Sequence, residues 1–194
     1  MSRTAALSWA ALAALAVLVL GLWVPGGAPP ATHDDLRILL LPTQPYVLIP
    51  AVTVMAGACA LKRRWDGLAL CLLGGIVPVA LNTWVLKPLF DRPLHDDLAY
   101  PSGHTVSLVS VLTVLVLLVR RLLVAALAVA VTALAAIGLV GTGYHYPVDV
   151  AGGACVAIAA VLTIASALHL ARAPSAGSPR GGTSSGSPPA ASPR

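Results

Sequence analysis

Leu122 to Gly141, LLVAALAVAVTALAAIGLVG, runs for twenty residues without a charged side chain. A helix of that length spans about 30 Å, the thickness of a bilayer's hydrocarbon core. Arg120 and Arg121 separate this run from an apolar stretch just before it, Ser102–Val119, and a short polar turn leads out of it into Pro147–Ala171. Further upstream lie Ala5–Val24, Tyr46–Leu61 and Gly67–Leu86. The composition agrees with this pattern. Hydrophobic residues make up 58%, charged residues 10%, and the mean hydropathy is +0.88, far from a soluble domain with about a quarter of its residues charged. The reading is an all-α protein, a six-transmembrane-helix bundle.

The predicted membrane domain covers residues 1–172. Residues 173–194, rich in Ser, Pro and Gly, form a tail too poor in apolar surface to offset its chain entropy, and are expected to be disordered. The first span is read as a retained helix rather than a cleaved leader, because about twenty apolar residues exceed the roughly 7–15 of a signal core. Between it and the second span the expectation is a Pro-rich, acidic loop, from Pro25 through His33, Asp34 and Asp35 to Pro45.

The cations set the expected orientation. With the N-terminus inside, nine Lys and Arg residues face the cytoplasm against Asp66 alone. Three cations, Arg37, Lys87 and Arg92, face outward with six aspartates. Both termini are therefore expected in the cytoplasm. The basic residues sit in short clusters between apolar runs, without the stripe and interleaved aromatics of a nucleic-acid binder, so no nucleic-acid partner is expected. Cys59, Cys71 and Cys155 lie inside apolar spans, without a CxxC or a Cys/His cluster, and read as small buried hydrophobes.

Three polar segments carry the candidate chemistry. Lys87-Pro88-Leu89-Phe90-Asp91-Arg92-Pro93 leaves the third span, Pro101-Ser102-Gly103-His104 opens the fourth, and Tyr144-His145-Tyr146-Pro147-Val148-Asp149 opens the sixth. His104 and His145 are 41 residues apart. Two crossings of about twenty residues each return the chain to the face it left, so both histidines are expected at one surface, with Lys87 and Arg92. By the charge count that surface is the outer one. Ser102 and Gly103 begin a helix, whose free N–H groups and positive dipole end attract anions. Lys87 and Arg92 add charge for a phosphoryl group. His145 and Asp149, four apart, can share one helix face. A carboxylate on one imidazole nitrogen fixes the tautomer and leaves the other as nucleophile. His104 can then protonate the departing oxygen and later activate water. The isolated His33, His95, His169, Asp34, Asp35, Asp96 and Asp97 read as solvated interfacial groups, and Asn82 as a helix–helix hydrogen-bonding residue.

These segments resemble the motifs of the type 2 phosphatidic acid phosphatase family, the membrane lipid phosphatases related to vanadium haloperoxidases: K-x6-R-P, P-S-G-H and S-R-x5-H-x3-D. The resemblance covers about residues 67–171. Pro101–His104 matches the second motif in full, and His145 with Asp149 the end of the third. It implies six helices with an outward-facing site, a phosphohistidine on His145, Asp149 as its orienting partner, His104 as general acid/base, and no metal or other cofactor. Two positions depart. Leu94 stands where the first motif has Arg, leaving Arg92 two residues earlier, and Gly138-Leu139 replaces the Ser-Arg of the third. The phosphate-binding set read from the sequence is thus Lys87, Arg92, Ser102 and Gly103, with Thr142 or Tyr144 as possible substitutes for the lost arginine.

The expected function is hydrolysis of a lipid phosphate at the extracytoplasmic face of a bacterial plasma membrane. A polyprenyl diphosphate, as in undecaprenyl carrier recycling, is the favoured substrate. Phosphatidic acid, phosphatidylglycerol phosphate and lipid-A-type phosphates stand beside it. The alternatives are a non-catalytic lipid-phosphate-binding relative and a lipid phosphotransferase. Membrane lipids are the expected surroundings, and the oligomeric state is not legible.

Overall fold

The computed structural model describes residues 3–22, 33–94 and 97–171. The expected tail at 173–194, the small residues Gly26–Ala28 after the first span, and Asp96 lie outside the described residues, as does His95.

Seven α-helices follow one another: α1 (Arg3–Leu22), α2 (Pro45–Leu61), α3 (Trp65–Leu81), a short α4 (Lys87–Phe90), α5 (Gly103–Val119), α6 (Leu122–Gly141) and α7 (Pro147–Ala171). With α3 and α4 joined into one rod, these are the six helices read from the sequence. Among the described residues, five segments are long and apolar enough to cross a membrane; α5, at 17 residues, is a shorter apolar helix. The protein is membrane-embedded. Large apolar side chains such as Leu122, Leu123, Leu127 and Val129 on α6 point outward, as they must where the solvent is lipid.

The helix ends follow local chemistry. Proline stands at the start of α2 and α7, where a missing N–H costs nothing. Ser102 caps α5. Arg63 and Arg120 turn the chain out of α2 and α5 with left-handed backbone, φ 52° and 53°. They lie, with Arg64, around one cavity between the α2–α3 turn, the start of α3 and the ends of α5 and α7, so the basic clusters collect at the end of the bundle away from His104.

Two stretches differ from the sequence reading. The expected loop before α2 contains a ten-residue 3-10 helix, Asp34–Thr43. Runs this long are uncommon for that geometry. Here one is held because residues three apart share a face, and Leu36 and Leu39 both press on glycines of α6. The third span also does not end at Leu86. It passes through a π-helical segment, Asn82–Leu86, in which the Lys87 N–H donates to the Asn82 carbonyl, and continues to Phe90. Pro88 explains the widened turn, since in a regular α-helix its ring would meet the carbonyl of Trp84. Beyond it, Pro93–Leu94 (β1) pairs antiparallel with Asp97–Leu98 (β2), a two-residue ladder beside the helices.

α7 is the hub, packing against α1, α3 and α5. It carries Ala151-Gly152-Gly153-Ala154, and small residues let helix backbones approach. Cys59 and Cys71 are buried with Val114 and Val161 in one core cluster, while Val17, Tyr100, Val106 and Val156 form another under the site.

Candidate active site

The two histidines are fixed by the ends of helices that touch each other. On the α5 side, the Ser102 hydroxyl oxygen accepts from the Thr105 N–H at 3.4 Å and from the Thr105 hydroxyl at 3.1 Å. This satisfies an otherwise free donor of the first turn and places His104 there. On the α7 side, the chain leaves α6 through Gly143, φ 76°, a conformation that glycine adopts without strain. The N–H groups of Tyr144 and His145 both donate to the Leu139 carbonyl, which folds the segment back on the end of α6. Asp149, in the first turn of α7, reaches back with Oδ2 to the Tyr146 N–H at 2.9 Å, the reciprocal half of a capping box. The H-x3-D spacing therefore has a structural task in capping α7.

The two sides are tied directly. The Ser102 N–H donates to the Asp149 carbonyl at 3.0 Å. A Cβ on Gly153 would lie 2.7 Å from the Ser102 carbonyl oxygen, and one on Gly152 would lie 2.4 Å from the Tyr100 ring. Only glycine lets α7 come this close.

The His104 and His145 rings then stand with centroids 5.9 Å apart, inclined at 66°. Tyr144 is edge-on to His104 at 6.0 Å. His145 is 7% exposed and Asp149 1%. His145 Nδ1 faces Asp149 Oδ2 at 3.8 Å, longer than a hydrogen bond, and has no protein partner among the described residues. The nitrogen on the carboxylate side is thus Nδ1, and Nε2 is the one left for chemistry.

A cavity of about 610 Å³ opens beside the pair. Of the residues singled out in the sequence, Lys87, Gly103, His104 and His145 border it, as do Thr142 and Tyr144. Asp149 is buried beside His145. Ser102, fully buried, and Arg92 are not in the lining. The Arg92 guanidinium lies over the Tyr100 ring, 4.7 Å from its centroid, with Nη1 3.9 Å from Asp149 Oδ1. Its Nε and Nη2 are buried and unpartnered among the described residues. Among those residues, no group of three His, Cys, Asp or Glu side chains is placed to hold a metal ion.

Four further contributors were not among the site residues read from the sequence. Tyr100, wholly buried, donates its hydroxyl to the Val17 carbonyl of α1 at 2.5 Å and meets Phe90 edge-on at 4.8 Å. Burial pushes its phenol up to about 12, so it stays a donor. Asn82 donates Nδ2 to the Pro101 carbonyl at 3.3 Å, tying the π segment to the turn before α5 rather than to another helix. The Gly152-Gly153 pair sets the α5–α7 approach, for which adjacent glycines inside a helical run were the available signal. Arg37, from the 3-10 helix, borders the cavity.

Buried in a membrane bundle, two imidazoles, a carboxylate behind one of them and a lysine at the cavity wall make a site suited to phosphate chemistry. The comparison with known families agrees. Residues 82–172 match the model of the PAP2 superfamily, which supports a type 2 phosphatidic acid phosphatase-like family member and suggests phosphatase-type activity on phosphate esters. The matched stretch starts at Asn82 and takes in Lys87, His104, His145 and Asp149. No curated protein and no solved structure matches the chain.

Proposed function

We propose that the protein hydrolyses a lipid phosphate or polyprenyl diphosphate through a phosphohistidine, at the extracytoplasmic face of the membrane. The observation that carries this reading is the convergence of His104, His145 and Lys87 on one cavity, with Asp149 behind His145. His145 Nε2 attacks phosphorus in line, the bond to the leaving oxygen breaks, and His104 gives that oxygen a proton. His104 then takes a proton from water, the resulting hydroxide attacks phosphorus, and the N–P bond breaks to release inorganic phosphate. Asp149 holds the imidazole with Nδ1 toward it and stabilises positive charge as it develops. Lys87, with the free N–H groups at the start of α5 around Gly103, takes the phosphate oxygens.

Arg92 fits the same reading. It stands behind the cavity lining with Nη1 3.9 Å from Asp149 Oδ1, so its positive charge lies beside the carboxylate that orients His145. Ser102 acts by capping the helix that presents Gly103 and His104.

An apolar bundle with the site at one end supports a lipid substrate, whose chain stays in the bilayer while its headgroup enters the cavity. The outward placement rests on the charge bias of the loops.

The test is phosphate release by purified protein in detergent from polyprenyl diphosphate, polyprenyl phosphate and phosphatidic acid, for wild type and His145→Ala. Release by wild type alone supports the reading. Equal rates in the two overturn it, and transfer of the phosphoryl group to a lipid alcohol instead of water would make the protein a phosphotransferase.

A further inference from the structure

We propose that Arg37, on the 3-10 helix Asp34–Thr43, binds the substrate's phosphate headgroup in the cavity that His104 and His145 also border, in place of the arginine that position 139 lacks. The proposal rests on the phosphatase reading above and adds a residue that lies outside the family match, 82–172.

Among the described residues, Lys87 and Arg37 are the Lys and Arg side chains that border the cavity. At the position where the resemblance expects an arginine, Leu139 is 1% exposed and packs with Leu40 and Val150. Its neighbour Gly138 has no room for a side chain. A Cβ there would stand 2.8 Å from the Leu39 Cβ and 3.4 Å from the Leu36 carbonyl oxygen, and one on Gly141 would meet Leu36 at 2.3 Å. The His33 N–H donates to the Gly141 carbonyl at 2.8 Å, fixing the start of the 3-10 helix on the end of α6. Gly138 and Gly141 form the shallow seat that this helix occupies. The absence of side chains at Gly138 and Gly141 and the seating of this helix on α6 therefore go together, and the helix carries Arg37 to the cavity.

Arg37 is held ready without being used up. Its Nη2 and Nε reach Asp34 Oδ1 at 3.0 and 3.1 Å, with both side chains mostly exposed. An exposed pair of this kind contributes little, so a phosphate, which an arginine can grip with two parallel N–H groups, displaces the carboxylate readily. Asp34 becomes a competitor for the headgroup.

The experiment uses full-length protein in detergent, with a short-chain polyprenyl diphosphate as substrate and inorganic pyrophosphate as a non-lipid probe in thermal unfolding. Arg37→Gln is expected to lower kcat/KM at least about tenfold, mainly through KM, a loss the size of one charge-assisted contact. It should also shrink the rise in Tm that pyrophosphate gives wild type. Arg37→Lys should recover part of both, and Asp34→Asn should lower KM. Arg37→Gln with wild-type KM and a wild-type pyrophosphate shift overturns the assignment. If wild type shows an Arg37-dependent pyrophosphate shift yet hydrolyses none of the lipid phosphates, the phosphatase reading fails and the Arg37 site stands. If wild type neither binds nor hydrolyses, both fail.

Discussion

The Ser102 N–H donates to the Asp149 carbonyl at 3.0 Å, so the turn that presents His104 and the turn that presents His145 are joined by one main-chain hydrogen bond. Gly153 makes this possible, since any Cβ there would stand 2.7 Å from the Ser102 carbonyl oxygen and 3.0 Å from the Thr105 Cβ.

Gly153→Ala should therefore affect stability and activity together. Backbone cannot yield as a flexible side chain can, and overpacking of this kind costs about 1–3 kcal/mol. The helices must also separate, moving His104 relative to His145. Thermal unfolding in detergent and phosphate release from the same preparation would check this. A variant with unchanged Tm and unchanged rate would show that the α5–α7 contact is not what sets the histidine pair.

Asp149 has two tasks that substitution can separate. Its Oδ2 accepts from the Tyr146 N–H at 2.9 Å and faces His145 Nδ1 at 3.8 Å. Asparagine keeps an acceptor for the cap but removes the charge that favours a cationic imidazole. Asp149→Asn should thus keep most of the stability and lose activity by roughly 10²-fold or more, the scale of a disabled acid–base group. Asp149→Ala should lose the activity and, with the cap gone, about 1 kcal/mol of stability as well. Near-wild-type kcat in Asp149→Asn would remove the carboxylate from the mechanism.

The membrane helices were legible because an apolar run of about twenty residues admits few other structures, and the shared face of His104 and His145 followed from counting crossings. The 3-10 helix was not legible. Asp34, Asp35, Pro42 and Pro45 give its surroundings the composition of a loop, and the spacing of Leu36 and Leu39 has meaning only once Gly138 and Gly141 are known to lie beneath it. The place of Arg92 was hidden for a related reason. Motif spacing lands on Leu94 and leaves Arg92 only as the nearest guanidinium, whereas the ring it lies over, Tyr100, and the carboxylate near it, Asp149, come from separate parts of the chain. A buried tyrosine next to a proline carries no periodic signal. The π segment depends on where Pro88 falls relative to Trp84 and on the anchoring of Asn82 to Pro101, a contact nineteen residues away.

Arg92 should not be replaceable by lysine. Its flat guanidinium covers the Tyr100 ring while Nη1 stays near Asp149, and an ammonium on a flexible stem cannot do both. Arg92→Lys and Arg92→Ala should both lower kcat/KM, by about tenfold or more, as expected for loss of a charge-assisted contact. Full activity in Arg92→Lys would mean that only the charge matters. Full activity in Arg92→Ala would take the residue out of the site altogether.

The orientation of the bundle gives a prediction independent of catalysis. Arg63, Arg64 and Arg120 surround a cavity at one end, while the histidine cavity and Asp91 lie toward the other. Lys and Arg in short loops are retained on the cytoplasmic side, because each resists transfer across the bilayer. Reporter domains active only outside the cytoplasm should therefore be silent when fused after Arg64 and active when fused after Asp91. Removing charge from the basic loops, by Lys62, Arg63, Arg64, Arg120 and Arg121 all →Asn, should blur that contrast without introducing any new sequence signal at the histidines. A reporter active after Arg64 in the unaltered chain would invert the protein, place His104 and His145 at the cytoplasmic surface, and turn the search for a substrate to phosphates presented by the inner leaflet.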